Sequence, residues 1–310
     1  MDADLNYPTD LGGTLVRCDS EAEWYAIRMT GVTGSDASKI AYANKYGSAY
    51  ELWCEKTGLL TSELAVEDPK AEQSEAAQWG LILEPTIRDF FRKRSGYRVV
   101  CDPQYAVRRH PKYAWMLGSL DGHVLVPQRG WGVWECKTAG AYMRDKWDEA
   151  IPPAYLVQVM HYLAVTGYGF AIVSALIGGQ AYREYIIERD DDFVSALIQA
   201  ERAFLNCVQG LTPPAIDGHP ATTKTIATIY PSDGGEMVDL PETAITWDDQ
   251  RNAAIAEASD AVARRAQAEN LIKQSIGNAS YGYLPNGVRY SWKGSPRRLQ
   301  RSKEQGNGHG

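Results

Sequence analysis

Asp121-Gly-His-Val-Leu-Val126, followed by Pro127-Gln-Arg-Gly130 and then Gly132-Val-Trp-Glu135-Cys136-Lys137, decides the reading of this chain. The apolar run at 124–126 marks one strand, residues 127–130 a turn, and 132–137 a second strand, so the stretch predicts a β-hairpin. Side chains alternate along a strand, which puts Glu135 and Lys137 on one face and turns Cys136 to the other. Asp121, on the neighbouring strand, can reach the face of Glu135. About twenty residues on, Gln158-Val-Met-His-Tyr162 lies on a helix opened by Pro152-Pro153 and predicted from about Ala154 to Val165. Two carboxylates and a lysine so placed suit a hard divalent cation, which takes oxygen ligands from one or two carboxylates, water and substrate phosphate. The same residues admit a plainer account. Glu-x-Lys on a strand is commonly an exposed ion pair and Asp-Gly commonly a turn, so the hairpin alone leaves both readings open.

Working outward, the spacing predicts a helix from Glu21 to about Thr30 with Trp24 and Ile27 inward, and a second helix capped by Ser35 and running to about Tyr42. Helical spacing of Leu83, Ile87, Phe90 and Phe91 extends from about Ala71 to Ser95. Pro85 predicts a kink or a fresh helix start at Glu84. Glu84 borders the apolar face, where a carboxylate is costly unless it is paired or near a metal. A strand is expected from about Arg98 to Val107. A closing hairpin is expected at 170–176 and 182–187, turning at Gly178-Gly179, followed by a helix from Asp192 to Val208. Together these make an α/β domain, a mixed sheet flanked by helices with the site at one sheet end. Gln158, His161 and Tyr162 share one side of their helix. His161 reads as a hydrogen-bonded core residue and stands outside the catalytic set.

The expected organisation is a loose leader over 1–19, the α/β domain over 20–211, an irregular connector over 212–245, a helix and hairpin extension over 246–294, and a disordered basic tail over 295–310. In the extension, Ile255, Val262 and Ile276 fall on a seven-residue grid that Glu269 interrupts, so the helix packs on something without being a demonstrated coiled coil.

Composition narrows the classes. At 310 residues and 44% hydrophobic content the chain can bury a sizeable core. It contains no apolar run of membrane-spanning length, and an acidic start without a signal-peptide pattern points to the cytoplasm. Five scattered cysteines, none in a Cys-x-x-Cys pair, read as reduced thiols and argue against a disulfide framework, zinc or an iron–sulfur site. The net charge of −7 at first disfavours a nucleic-acid partner. Its distribution does not: residues 289–303 hold six Lys/Arg and no acid, while 211–288 hold five Lys/Arg against ten Asp/Glu. Further basic clusters stand at Arg88 to Arg98 and at Arg108, Arg109 and Lys112. Local patches, not the sum, set where phosphates bind. Arg289, Trp292, Lys293, Arg297 and Arg298 form a basic-aromatic run that suits DNA backbone or bases equally with a solubilising tail.

The chain resembles the λ-exonuclease/YqaJ-type viral recombinase nucleases, a branch of the PD-(D/E)XK superfamily. The resemblance rests on Trp24-Tyr-Ala-Ile-Arg28 with Gly31-Val-Thr33-Gly-Ser35; on Trp79-Gly80 through Glu84 and Ile87-Arg88-Asp89-Phe90-Phe91; on Gly118-Ser119-Leu-Asp121-Gly122 through Glu135-Cys136-Lys137; and on Gln158 through Tyr162 with Tyr185-Ile-Ile-Glu188. It covers about residues 20–195 and implies a restriction-endonuclease-like fold. It implies that Asp121, Glu135 and the backbone carbonyl of Cys136 bind one or two Mg²⁺ or Mn²⁺ ions, with Glu84 acting through water. Lys137 and Gln158 complete the catalytic set. Arg28, Thr33, Ser35 and Ser119 would hold DNA phosphate, and Tyr162 belongs to a Gln-x-x-x-Tyr motif beside the DNA. The implied reaction is 5′ to 3′ digestion of linear double-stranded DNA, leaving a 3′ single strand for a single-strand annealing protein. The implied assembly is a ring-shaped homotrimer, and the implied setting is the cytoplasm of a bacterial host, with a phage or prophage origin. An endonuclease of the same fold and a non-cutting DNA-binding recombination partner remain as alternatives. The block around Arg28 argues against the first, and intact Asp121, Glu135 and Lys137 against the second.

Overall fold

In the computed structural model, residues 7–41, 45, 47–60 and 75–303 are described. The chain divides into two compact units, Met1–Asp233 and Gly234–Gly310.

The first unit starts with strand β1 (Thr14–Val16), helices α1 (Glu21–Met29), α2 (Gly34–Ile40), α3 (Ala49–Thr57) and α4 (Glu75–Ser95), and strands β2 (Arg98–Val100), β3 (Val107–Arg109), β4 (Leu117–Gly118), β5 (Gly122–Val126) and β6 (Gly130–Ala139). A 3₁₀ turn at Ala141–Met143 leads to α5 (Arg144–Glu149) and α6 (Pro153–Thr166); then come β7 (Phe170–Ile177), β8 (Ala181–Glu188), α7 (Asp191–Gln209) and α8 (Pro220–Ile229). The main sheet has the order β2-β5-β6-β7-β8, and a smaller one the order β1-β3-β4. All neighbours in the main sheet are antiparallel except β6 and β7, which are parallel. A parallel pair needs a crossover, and α5 and α6 supply it. This is the mixed sheet flanked by helices that the resemblance implies.

Strand alternation explains the two cores. Trp134 and Cys136 of β6 face α4, packing with Ile87, Phe91, Val124 and Ile172. Val133 faces the opposite way, into a larger core with α2, α3, α6 and α7. Helix α6 begins with Pro153 in its first turn, where its missing N–H costs nothing, and ends at left-handed Gly167 (φ 74°). The β7–β8 turn places Gly178 and Gly179 at φ 61° and 72°, a conformation that glycine adopts without strain.

Several expectations are corrected. Helix α4 runs through Pro85 as one element, so no new helix starts at Glu84; the proline forfeits a single bond to the carbonyl four residues back. The cap of α2 is Thr33, whose N–H donates to Asp36 Oδ2 at 3.0 Å, and Ser35 lies inside the helix; its expected end at Tyr42 falls outside the described residues, as does 71–74 of the next helix. The strand expected over 98–107 is two strands in different sheets, because a turn from Pro103 to Ala106, with Tyr105 at φ 59°, separates them. The stretch read as a leader contributes β1, paired with β3, and the Gly12 N–H donates to Tyr168 at 2.8 Å. The connector contains α8, whose Thr222 Oγ1 donates to Ser48 Oγ at 2.8 Å.

The second unit contains α9 (Ala244–Ile276), β9 (Tyr281–Tyr283), β10 (Val288–Gly294) and β11 (Arg297–Lys303), the strands forming an antiparallel sheet in the order β11-β10-β9. Residues 297–303, read as disordered tail, are therefore a strand; cross-strand pairing supplies the backbone bonds that composition conceals. Residues 304–310 lie outside the described residues.

Candidate active site

The site forms where β5 begins later than its neighbour. Gly122 pairs with Trp134, and Asp121 stands just ahead of β5. The Asp121 carboxylate takes over from the strand: its Oδ2 accepts the Cys136 N–H at 2.8 Å. The N–H and C=O of one strand residue point to the same side, so the Cys136 carbonyl is directed to the edge that Asp121 occupies. Beneath it, the Cys101 thiol donates to the Asp121 carbonyl at 3.2 Å, and Arg88 Nη1 reaches Cys101 Sγ at 2.8 Å and Glu84 Oε1 at 3.4 Å. The hairpin alternation is as expected: Glu135 and Lys137 share a face, and Lys137 Nζ donates to Glu135 Oε1 at 2.6 Å.

Glu135 is 1% exposed, and its second carboxylate oxygen has no hydrogen-bond partner among the described residues. Burial, helped by the negative charge of Asp121, pushes its carboxyl up to about 8 against the pull of Lys137. Burial, with Asp121 adding, pushes Glu84 up to about 7. Asp121 is also raised by burial, and Lys137 is raised because the carboxylates outweigh its desolvation. These mutual effects place Glu84, Asp121, Glu135 and Lys137 in one electrostatic cluster with more negative charge than one lysine offsets. Tyr155 borders it, its ring centroid 5.0 Å from Lys137 Nζ.

A divalent cation fits this donor set by chemistry. Among the described residues no three His, Cys, Asp or Glu side chains gather as a metal-holding group. Asp121, Glu135 and a backbone carbonyl are oxygen donors of the kind that suit Mg²⁺, which keeps several waters, and the orphaned Glu135 oxygen is a buried acceptor awaiting a positive partner.

Gln158 and Tyr162 project from α6, and Gln158 Nε2 donates to the Tyr162 hydroxyl at 3.0 Å. Gly34 at the start of α2 lies against them: a Cβ there would be 2.5 Å from Tyr162 Cε1. A polar cluster joins α1 to the segment after β4. Ser119 Oγ accepts from Arg28 Nη1 at 3.1 Å and from Trp24 Nε1 at 3.2 Å, and the Arg28 guanidinium lies 4.3 Å from the Trp24 ring centroid. Arg28 and Ser119 therefore meet as side chains. Thr33 and Ser35 meet each other, hydroxyl to hydroxyl at 3.1 Å. His161 is a core residue: Nε2 donates to the Leu117 carbonyl at 2.9 Å, and Nδ1 pairs with buried Glu201 at 2.7 Å. Sequence reasoning missed Cys101 and Tyr155, and it placed Arg88 in a basic patch. The Cys101 and Tyr155 contacts run between elements, which no spacing announces, whereas Arg88 and Glu84 are an i,i+4 pair within α4 that helical spacing does announce.

A model of the YqaJ-like viral recombinase domain matches residues 23–169. The protein YqaJ of Bacillus subtilis (strain 168) is 35% identical over 280 residues, covering 88% of this chain and 83% of that one. The chain belongs to the YqaJ-like viral recombinase family. Among solved structures, an alkaline exonuclease from Laribacter hongkongensis is similar at 23% identity and a TM-score of 0.48, over 62% of this chain and 94% of that one. A phage-related exonuclease from Haemophilus somnus 129PT is similar at 15% identity and a TM-score of 0.43, over 58% and 94%. The YqaJ-like domain contains Arg28, Thr33, Ser35, Glu84, Ser119, Asp121, Glu135, Cys136, Lys137, Gln158 and Tyr162. No helix among the described residues is long and apolar enough to cross a membrane.

The basic-aromatic residues lie beyond the YqaJ-like domain, in the second unit, and the structure sorts them. Arg297 is committed internally: Nε donates to the Trp292 carbonyl at 3.0 Å, Nη1 to the Gly277 carbonyl at 2.9 Å, and Nη2 to the Ala279 carbonyl, with the guanidinium 3.7 Å from the Trp292 ring centroid. Lys293 and Arg298 are exposed.

Proposed function

We propose that the chain is a divalent-metal-dependent deoxyribonuclease that digests linear double-stranded DNA from its ends, 5′ to 3′, leaving a 3′ single strand for an annealing protein. The observation that carries this reading is Glu135: a buried carboxylate with one oxygen on Lys137 and the other unpartnered, beside Asp121 and the Cys136 carbonyl. A buried polar atom left unpaired costs about 1–3 kcal/mol, more when charged, and a cation held beside Asp121 and the Cys136 carbonyl would satisfy this one.

Mg²⁺ or Mn²⁺ held by Asp121, Glu135 and the Cys136 carbonyl supplies positive charge against the phosphate oxygens in phosphodiester hydrolysis. Lys137, anchored by Glu135, offers its ammonium to the charge that develops on the reacting phosphate. The Gln158 amide, held by Tyr162, flanks the same space. Arg28 and Ser119 suit the terminal 5′ phosphate, because a guanidinium and a hydroxyl already oriented toward each other lose little freedom on binding it. Glu84 keeps the cluster acidic, which favours cation entry. The family resemblance adds a ring-shaped homotrimer, action in a bacterial cytoplasm and a phage or prophage origin; sedimentation velocity tests the ring.

The deciding experiment incubates linear duplex DNA, with and without a 5′ phosphate, in Mg²⁺ and in EDTA, beside Lys137→Ala and a circular duplex. Loss of the linear DNA alone, dependent on Mg²⁺, faster with the phosphate and abolished by the substitution, is expected. Cutting of the circle would make the protein an endonuclease. Binding without cutting in either metal would make it a recombination partner.

A further inference from the structure

The β9–β10–β11 sheet has two unlike faces, and register separates them. Arg289 lies opposite Tyr283 and Ser302, Ser291 opposite Tyr281 and Gln300, and Lys293 opposite Arg298, so these side chains share one face. Val288, Tyr290 and Trp292 belong to the other, with Gly282, Arg297, Leu299 and the exposed Arg301. That second face is turned inward. Val288 is buried, Gly282 abuts Ile276 at the end of α9, and Arg297 is bound to the carbonyls just past the helix. The first face is turned outward, with Tyr281 and Tyr283 41% and 61% exposed.

Residues 289–303 hold six Lys/Arg and no acid in a chain whose net charge is −7. Of these, Arg289, Lys293 and Arg298 stand on the outer face. On the outer face the cations gather around a ring: Lys293 Nζ is 3.9 Å and Arg289 Cζ 5.3 Å from the Tyr281 centroid. Tyr281 and Tyr283 are two residues apart on one strand, hence about 6.7 Å, roughly twice the 3.4 Å rise between stacked nucleotides of one strand. Each ring therefore has room for a base of its own.

We propose that this outer face binds single-stranded nucleic acid, with Tyr281 and Tyr283 as platforms for unpaired bases and Arg289, Lys293 and Arg298 along the phosphates. Aromatic rings interleaved with cations on an exposed surface match the two things a single strand offers, π-faces and a repeating negative charge. A duplex hides its base faces and would engage the cations alone. An acidic protein would likewise leave the rings unused. The proposal does not rest on the reaction above, since it is read in EDTA, where nothing is cut.

The test uses the full chain and fluorescence anisotropy against a labelled oligothymidylate and a blunt duplex of equal length. Tyr281→Ala with Tyr283→Ala is expected to weaken the oligothymidylate complex about tenfold or more, because the bases no longer stack, and the duplex complex less than about twofold. The paired Tyr→Phe variant is expected to keep full affinity. Lys293→Gln with Arg298→Gln is expected to flatten the salt dependence by about 0.7 in log–log slope for each phosphate no longer neutralised. Circular dichroism checks folding; if the double alanine variant unfolds, Tyr283→Ala alone carries the comparison, because that ring is the more exposed. Unchanged oligothymidylate affinity, an equal loss on both DNAs, or binding of polyglutamate as tight as of oligothymidylate would overturn the proposal.

Discussion

Two of the buried polar clusters in the first unit, those around Asp102 and Glu135, differ in whether they close. Around Asp102 everything is matched. Arg108 donates to it from Nε at 3.1 and 3.0 Å and from Nη2 at 2.6 Å, Tyr7 donates its hydroxyl, and His123 Nε2 lies 3.2 Å away. His123 Nδ1 pairs with Tyr168 at 2.9 Å, and the Tyr168 hydroxyl accepts the Gly12 N–H. Around Glu135 the donors fall short: Arg88 reaches Glu84 and the Cys136 N–H reaches Asp121, but Glu135 has Lys137 on one oxygen and, among the described residues, no partner on the other. Burial pushes both acids up, but the bonds from His123, Arg108 and Tyr7 hold the Asp102 carboxyl well below its usual range, whereas Glu135 stays well above its own. A closed network joins β1, β3, β5 and the end of α6 into one body. An open one is shaped for something that arrives later.

The contrast between the clusters is strained most at Lys137. Lys137→Ala is expected to lower the rate of linear-duplex digestion by about 10²–10³, the usual cost of removing one electrostatic stabiliser of a reacting group, while the thermal midpoint moves little. A rate within about threefold of the parent would remove Lys137 from the chemistry. Asp102→Asn is expected to do the opposite: a loss of about 3 kcal/mol in stability, as when one partner of a buried ion pair is removed, with the rate per folded molecule unchanged. Its sign with pH follows from the depressed folded pKa. The Asp102 contribution is full above the unfolded value, about 3.9, and fades as pH falls below it. Urea unfolding at neutral and acid pH checks this; the gap between parent and variant should narrow below about pH 4. A gap constant with pH would assign the effect to packing.

Smaller in free energy is the effect of the cation itself. Mg²⁺ at about a hundred times its Kd is expected to raise stability by about 2.7 kcal/mol, seen as an upward shift of the thermal midpoint. Glu135→Gln should abolish that shift, because an amide oxygen is a far weaker ligand for Mg²⁺ than a carboxylate. A Mg²⁺ shift that survives the substitution would place the cation elsewhere.

The two clusters were unequally legible in the sequence. Asp121, Glu135 and Lys137 could be read because strand alternation is local, and Gln158 and Tyr162 because helix spacing is local. The Asp102 network could not: Gly12 and Tyr168 are 156 residues apart, Arg108 reads as part of a basic cluster, and Asp102 reads as part of one strand over 98–107. For the same reason β1 passed for a leader and β11 for a tail, since a short strand is defined by its partner more than by its own residues. The continuity of α4 through Pro85 shows the converse, a local rule overridden because the helix face bearing Ile87 and Phe91 is packed on the sheet.

The finest contrast applies one chemical change in both places. Tyr168→Phe removes a hydroxyl that serves both the Gly12 N–H and His123. Two buried groups then lose their partner, and about 1–3 kcal/mol of stability should go with them, with digestion unaffected. Tyr162→Phe removes a hydroxyl tied to the Gln158 amide, and Gln158 itself is only half-buried. Gln158 can then turn to water, so the stability loss should stay under about 1 kcal/mol. The amide is no longer held by Tyr162, which lies within the electrostatic reach of Glu135 and Lys137, and digestion should slow by up to about tenfold, a small share of what one well-placed polar group contributes to a reacting centre. If Tyr162→Phe instead destabilised the protein as much as Tyr168→Phe and left digestion intact, the site would be as closed as the Asp102 network, and the distinction between the two clusters would fail at the residue where it is finest.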